Sequence, residues 1–181
     1  MRRNIDALDE AVALSTRDKI YSTISKNPGL HFREIQRRTD IATGALQYHI
    51  DYLQKKHLVR SEKDGKFSRF YAVRGEEVDT ELMSLMRQDS VRGIVMFLMK
   101  RRRATLPQIS KEVGLSVSTT SFHLQKLLHS DLVGQKNYGK KTYFSLKDKD
   151  RVLRLLLTYK KSFLDEVVDS FVDIWEEELV R

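Results

Sequence analysis

Residues 41–59 read IATGALQYHIDYLQKKHLV, and residues 115–133 read LSVSTTSFHLQKLLHSDLV. Each stretch carries an aromatic residue followed by His, a Leu four residues after that His, and a closing Leu-Val. His49 falls on His123, an offset of 74 residues. The same offset carries Ile20 onto Ile94, Ile24 onto Leu98, Phe32 onto Leu106, Ile35 onto Ile109 and Ile41 onto Leu115. It continues through Leu53 on Leu127, Leu58 and Val59 on Leu132 and Val133, and Gly65-Lys66 on Gly139-Lys140. So many apolar matches in one register, with a shared glycine, mark a duplicated unit. The period is too long and the copies too few for a solenoid, so two related domains are expected. Past the glycine, pairing aromatic with aromatic aligns Phe70-Tyr71 with Tyr143-Phe144 and makes the second copy one residue shorter.

Within each copy the periodicity predicts three helices and a hairpin. Ser15-Thr16-Arg17-Asp18 reads as a capping box opening a helix with Ile20 and Ile24 inward, and Asn27-Pro28-Gly29 stops it. A short helix follows over residues 31–38 with Phe32 and Ile35 inward. Thr43 is placed to cap a third helix reaching about Lys56, whose stripe Leu46, Ile50 and Leu53 follows i, i+4, i+7 spacing. LVRSEKDGKFSRFYAV then reads as two strands around Lys63-Asp64-Gly65-Lys66. The second copy predicts a helix from Asp89 to Lys100, another from Thr105, a third capped by Ser116, and a hairpin around Asn137-Tyr138-Gly139.

Three helices and a two-stranded hairpin, with a short turn between the second and third helices, follow the winged helix-turn-helix plan. The two quoted stretches resemble the recognition-helix signature of the metal-sensor-like and multiple-antibiotic-resistance-like regulators of bacteria and archaea. The doubled arrangement is most similar to archaeal tandem winged-helix transcription regulators, over about residues 15–147. The fold expected is mainly α with small β-hairpin wings (α+β). Its parts are a winged domain at 1–74, an acidic linker helix at 75–88, a second winged domain at 89–147 and a long C-terminal helix at 148–181. The metal-sensor branch holds its ion with Cys or clustered His and Asp. With no cysteine and no such cluster in this sequence, metal sensing is not carried over, and neither metal nor cofactor is expected.

An α-helix fits the major groove of B-DNA and presents three or four side chains to base edges. With Leu46, Ile50 and Leu53 inward, Thr43, Gly44, Gln47 and Tyr48 face outward near the helix start. Glutamine can bond adenine in bidentate fashion, and Thr or Tyr can bond base or phosphate. The corresponding face of the second copy is Ser118, Thr119, Ser121, Phe122 and Gln125, uncharged and suited to weaker direct readout. Phe122 can meet a thymine methyl or pack on the wing. The hairpins carry Lys63, Lys66 and Arg69, then Lys136, Lys140 and Lys141, placed to grip flanking phosphate. Arg60, the second-helix residues Arg33, Arg37 and Arg38, and their counterpart Lys111 add candidate backbone contacts. Arg101-Arg102-Arg103 has no equivalent in the first copy and can grip DNA or favour a helix C-terminus. His49 and His123 can contact phosphate or titrate, but bracing the recognition helix is the favoured reading. The five histidines (31, 49, 57, 123 and 129) show no His-Glu-x-x-His spacing.

The charge pattern agrees with two polyanion-binding heads. Net charge is +8, but residues 1–75 hold 15 Lys/Arg against 9 Asp/Glu and residues 90–147 hold 11 against 2. The spacer at 76–89 holds one Arg against five acids, and the tail at 148–181 six bases against nine acids. The absence of cysteine excludes disulfides and thiol chemistry. The start reads as no signal peptide, and the longest apolar run, Ile94 to Met99, is too short to span a bilayer, so a cytoplasmic protein is expected.

Two segments lie outside the repeat. Val78, Leu82, Leu85 and Met86 share a face of the linker helix. In the tail, Leu156, Tyr159, Phe163, Val167, Phe171 and Ile174, widened by Trp175, form an apolar stripe too large for an exposed helix. It either packs back on the winged domains or pairs with a second chain, and homodimerisation is the favoured expectation. The function expected is a sequence-specific double-stranded DNA-binding transcription regulator. The alternatives are a non-specific architectural DNA-binding protein or a winged-helix protein-interaction scaffold. No nucleophile–base pair, Gly-rich phosphate loop or metal-ligand set points to an enzyme.

Overall fold

The computed structural model describes residues 2–75 and 77–163. The chain divides into two compact units at Thr80/Glu81. The first contains α1 (Arg2–Lys26), β1 (Leu30–His31), α2 (Phe32–Thr39), α3 (Thr43–Lys55), β2 (Val59–Asp64) and β3 (Phe67–Ala72). α4 (Thr80–Met86) begins on the last residue of the first unit and opens the second, which continues through α5 (Asp89–Lys100), β4 (Ala104–Thr105), α6 (Leu106–Val113) and α7 (Val117–His129). It ends with β5 (Val133–Tyr138), β6 (Lys141–Leu146) and α8 (Lys149–Phe163).

Each unit builds the same three-stranded antiparallel sheet, ordered β1-β3-β2 and β4-β6-β5. Leu30 pairs with Phe70 and Ala104 with Phe144, while Val59 pairs with Ala72 and Val133 with Leu146. Every one of these partners is displaced by the same 74 residues. The repeat therefore runs without a gap through the wing, and Phe70 corresponds to Phe144 rather than to Tyr143. The adjacent aromatics Tyr71 and Tyr143 make a one-residue slip look plausible in sequence; the strand register removes it.

Local chemistry sets the helix ends in both units alike. The backbone N–H of His31 donates to the Glu34 carboxylate at 2.7 Å, and that of Thr105 to Gln108 at 2.9 Å, so each second helix starts with a side chain three residues on satisfying an otherwise orphan donor. Both second helices end on a left-handed residue, Asp40 (φ 54°) and Gly114 (φ 66°), which reverses the chain into the turn before the third helix. Ser116 caps α7, its hydroxyl accepting from the Thr119 N–H at 3.1 Å. Thr43 does not cap α3. Ala42 occupies that position, and the Thr43 hydroxyl accepts from Gln36 Nε2 at 2.8 Å instead. Nor does Ser15-Thr16 open α1, which is continuous from Arg2; the Thr16 hydroxyl donates to the Val12 carbonyl at 2.8 Å, one turn back in the same helix.

Ile20, Ile24, Leu30, Ile35, Leu46, Ile50, Leu53, Val59 and Phe70 form one buried cluster in the first unit. Each large aliphatic residue buried here contributes about 1.5–3 kcal/mol, and together they hold α3 against α1 with its opposite face outward. In the second unit Ile94, Leu98, Ile109, Leu124, Leu127, Val133 and Phe144 are buried at the matching or adjoining positions. α4 is shorter than the expected linker helix and buries Leu82, Met83 and Met86, whereas Val78 and Leu85 stay partly exposed.

α8 departs from regular helix at Tyr159 (φ −118°, ψ 23°). Leu156 and Phe163 are buried within the chain, so this part of the apolar stripe packs back rather than standing open. Arg87 fastens its end, donating to the Ser162 carbonyl at 2.8 Å and to the Ser162 hydroxyl, with its guanidinium 5.0 Å over the Phe163 ring. Val167, Phe171, Ile174 and Trp175 lie outside the described residues. Among those that are described, no helix is long and apolar enough to cross a membrane.

Candidate nucleic-acid interface

α3 has two faces with opposite chemistry. Leu46, His49, Ile50 and Leu53 point into the core, and Thr43, Gly44, Gln47, Tyr48 and Asp51 point to solvent. Tyr48 is 62% exposed, an unusual position for a large aromatic side chain with no apolar cover. Gln47 is held by Asp51, one turn along, through a 2.8 Å bond from its amide nitrogen. This leaves the carbonyl oxygen and the second N–H of Gln47 available outward. A methyl group built on Gly44 would meet nothing within 4 Å, and Gly44 is not among the positive-φ residues. The protein's own packing therefore does not require glycine here.

On α7, Ser118, Thr119, Phe122 and Gln125 are exposed and Ser121 is half-buried. Ser118 and Thr119 are engaged locally, their hydroxyls 3.0 Å and 2.8 Å from the Ser116 hydroxyl. Phe122 is 59% exposed and stays off the wing; it meets His123 edge-on at 5.5 Å and has the Lys126 ammonium 5.5 Å over its ring.

His49 and His123 occupy equivalent places behind the exposed aromatics, Tyr48 meeting His49 edge-on at 5.2 Å. The Nδ1 atom of each is buried without a hydrogen-bond partner. Burial lowers the pKa of both, helped by Arg17 at His49 and by Lys126 at His123. Both positions therefore favour the neutral imidazole.

Both wings turn through two residues, Gly65-Lys66 and Gly139-Lys140. Positive φ falls on the glycine alone (61° and 59°), the pattern of a type II′ hairpin, and a lysine is thereby set at each tip. Lys63, Lys66, Lys136, Lys140 and Lys141 are exposed, as are Arg33, Arg37 and Lys111 on the second helices. Arg38 is half-buried and bonds the Asn27 side chain at 2.9 Å, and exposed Arg60 pairs with Glu62 at 3.1 Å. Arg69 departs from its expected place on the wing surface. It is 4% exposed, its Nε 2.6 Å from Asp64 and a terminal nitrogen 2.8 Å from the Gly29 carbonyl. It ties the hairpin to the end of α1 and is not free to meet phosphate.

The triple arginine is exposed, and Arg103 stands over two wing tyrosines, 4.4 Å from the Tyr138 ring centre and 4.9 Å from that of Tyr143. The sequence offers the triplet as a grip on DNA or a helix C-terminal charge, without singling out Arg103. The available signal was the pair of tyrosines flanking the turn glycine. Among the described residues, no three His, Asp or Glu side chains gather as a metal-holding group.

A helical core whose second and third helices join through a three-residue turn, closed by a basic hairpin, is a winged helix-turn-helix domain, and this chain carries two in tandem. Residues 14–83 match the family model described as an N-terminal HTH domain, and residues 89–134 match that of the arsR family of bacterial regulatory proteins. An uncharacterized HTH-type transcriptional regulator of Methanocaldococcus jannaschii is 30% identical over 146 residues, covering 80% of this chain and 37% of that protein. The chain thus spans little more than a third of that relative's length. NolR from Sinorhizobium fredii is 27% identical with a TM-score of 0.41, covering 45% of this chain and 79% of that one. A chain of the endosomal complex ESCRT-II is 13% identical with a TM-score of 0.29, covering 82% and 67%. At those TM-scores neither structural likeness bears on function.

Proposed function

We propose that this chain is a sequence-specific double-stranded DNA-binding transcription regulator, with α3 and α7 entering major grooves and the basic wings gripping phosphate. The observation that carries this reading is the outward face of α3. Thr43, Gly44, Gln47 and Tyr48 are all exposed on it, opposite the buried Leu46, Ile50 and Leu53. Such a face offers a glutamine amide suited to adenine, hydroxyl donors, and a glycine where close approach is useful. Lys63 and Lys66 on the adjoining hairpin supply the sequence-independent grip, with Lys136, Lys140 and Lys141 in the same role on the second. The match of both halves to helix-turn-helix models supports the assignment.

The two reading faces differ, Gln47 and Tyr48 standing where Ser121 and Phe122 stand in the other copy. The two heads therefore prefer different half-sites, with base discrimination concentrated in the first. Homodimerisation is assigned to the tail, where Val167, Phe171, Ile174 and Trp175 continue the apolar period of Leu156, Tyr159 and Phe163. The chain works in the cytoplasm and catalyses no reaction.

Selection of double-stranded fragments from a random pool by the full chain tests the reading. Recovery of one consensus, with two unlike half-sites, is expected. Retention of DNA without any enrichment would contradict sequence-specific binding, and retention of none would remove DNA as the partner.

A further inference from the structure

The same three positions at the base of the wing carry opposite chemistry in the two units. In the first they are Gly29, Asp64 and Arg69, joined in the nearly buried arrangement described above, which neutralises its own cation. In the second, 74 residues on, they are Arg103, Tyr138 and Tyr143. Here the arginine has moved from the strand to the loop after α5. The carboxylate has become an aromatic ring, and the two tyrosines meet edge to face at 5.7 Å beneath the guanidinium. A guanidinium held over ring faces is fixed in place while its N–H donors stay unspent. Among the described residues neither Arg102 nor Arg103 pairs with a carboxylate. Arg102 and Lys136 line the same cleft, about 480 Å³ in volume, as Arg103, Tyr138 and Tyr143. Three cations converge there, and no acidic side chain is among the residues lining the cleft.

We propose that this cleft is a second-unit binding site for backbone phosphate, with Arg103 and Arg102 as its donors and Tyr138 and Tyr143 as the frame that holds Arg103. It rests on the DNA-binding reading above and adds a division of labour to it. The first unit reads bases through Gln47 and lacks this grip, because its own wing arginine is neutralised inside the fold. The second unit, whose recognition face has two hydroxyls engaged in its own helix cap, compensates with sequence-independent phosphate contacts.

The test compares the full-length wild type with the Arg102→Ala/Arg103→Ala double variant, on a selected fragment and on a scrambled one, across salt concentration. Each phosphate contact contributes about 0.9 to the slope of log affinity against log salt. The double variant is expected to flatten that slope by about 2 on both fragments, leaving their affinity ratio unchanged. Both side chains are exposed and only the ring contacts of Arg103 are lost, so the protein should stay folded with a melting temperature lower by a few degrees at most. An unchanged slope in a protein that still discriminates between the fragments overturns the cleft and leaves the regulator reading intact. A wild type that binds neither fragment at the lowest salt overturns both. ADP and inorganic phosphate, titrated by calorimetry, separate DNA from a free anion as the source of the phosphate. Saturable ADP binding that the double variant loses, with no change in DNA slope, overturns the DNA assignment.

Discussion

Gln47 donates its side-chain amide to Asp51 at 2.8 Å, one turn along the exposed face of α3. The bond holds the amide before any ligand arrives, leaving the carbonyl oxygen and one N–H for a partner outside the chain. Replacing Gln47 with Ala should cost about 1–3 kcal/mol of discrimination against wrong bases, with a smaller change on random DNA. Asp51→Ala should reduce discrimination by less, because the glutamine is kept and only its orientation is freed. Affinities of both variants for a selected and a scrambled fragment check this. Equal loss on the two fragments would show that Gln47 does not read bases.

Gly44 gives a second handle, because fold and function make opposite demands there. An added methyl meets no atom of the chain, and alanine is the better helix former by up to about 1 kcal/mol. Gly44→Ala should therefore raise the melting temperature slightly while weakening binding to the selected fragment. Unchanged binding would mean that the backbone at this point does not approach DNA.

The two kinds of wing cation separate cleanly. Arg69→Ala removes a buried charge-assisted bond to Asp64 and a bond to the Gly29 carbonyl, each of the kind worth about 1.5–3 kcal/mol. It should lower the melting temperature by several degrees. Lys63→Ala/Lys66→Ala should leave melting unchanged, weaken binding on all sequences and flatten its salt dependence. A stable Arg69→Ala protein with reduced DNA binding would return Arg69 to the wing surface.

Stability should fall on the acid side. His49 and His123 have folded-state pKa values lowered by burial, so below the unfolded value, near 6.5, the unfolded chain binds more protons than the folded one. Their contribution is complete above that pH and is lost as pH drops toward the folded pKa. His49→Leu/His123→Leu should flatten this part of the melting-temperature profile at little cost in stability, since neither Nδ1 has a partner to lose. A profile between pH 7 and 5 unaffected by the substitutions would contradict the neutral-brace role.

Removing the residues after Phe163 should lower the mass seen by light scattering while leaving the buried Leu156 and Phe163 in place. A full chain that is already monomeric would rule out dimerisation through the tail.

Most of the fold is legible in the sequence because each element has a local cause. The stripe Leu46, Ile50 and Leu53 orients α3, Ser116 caps α7, and a glycine fixes each wing turn. The outward residues of both recognition helices follow from the same period. What the sequence hides is non-local. Arg69 reads as one more hairpin cation, and only the packing of β3 against the end of α1 brings it to Gly29, 40 residues earlier. Arg103 reads as part of a charge run until β5 and β6 bring Tyr138 and Tyr143 under it. The slip in wing alignment has a similar origin, since aromatic identity is a weaker guide to register than strand pairing. The continuation of α1 before Ser15 escaped because hydroxyls that suggest a cap can equally bond back to their own helix.

The most direct test of the account is the ratio of affinities of the full-length chain for a selected fragment and a scrambled fragment of equal length, at one near-physiological salt concentration. The account predicts a preference of about a thousandfold or more, falling at least about tenfold when Gln47 and Tyr48 are both replaced by Ala. Equal affinity of the wild type for the two fragments would contradict it.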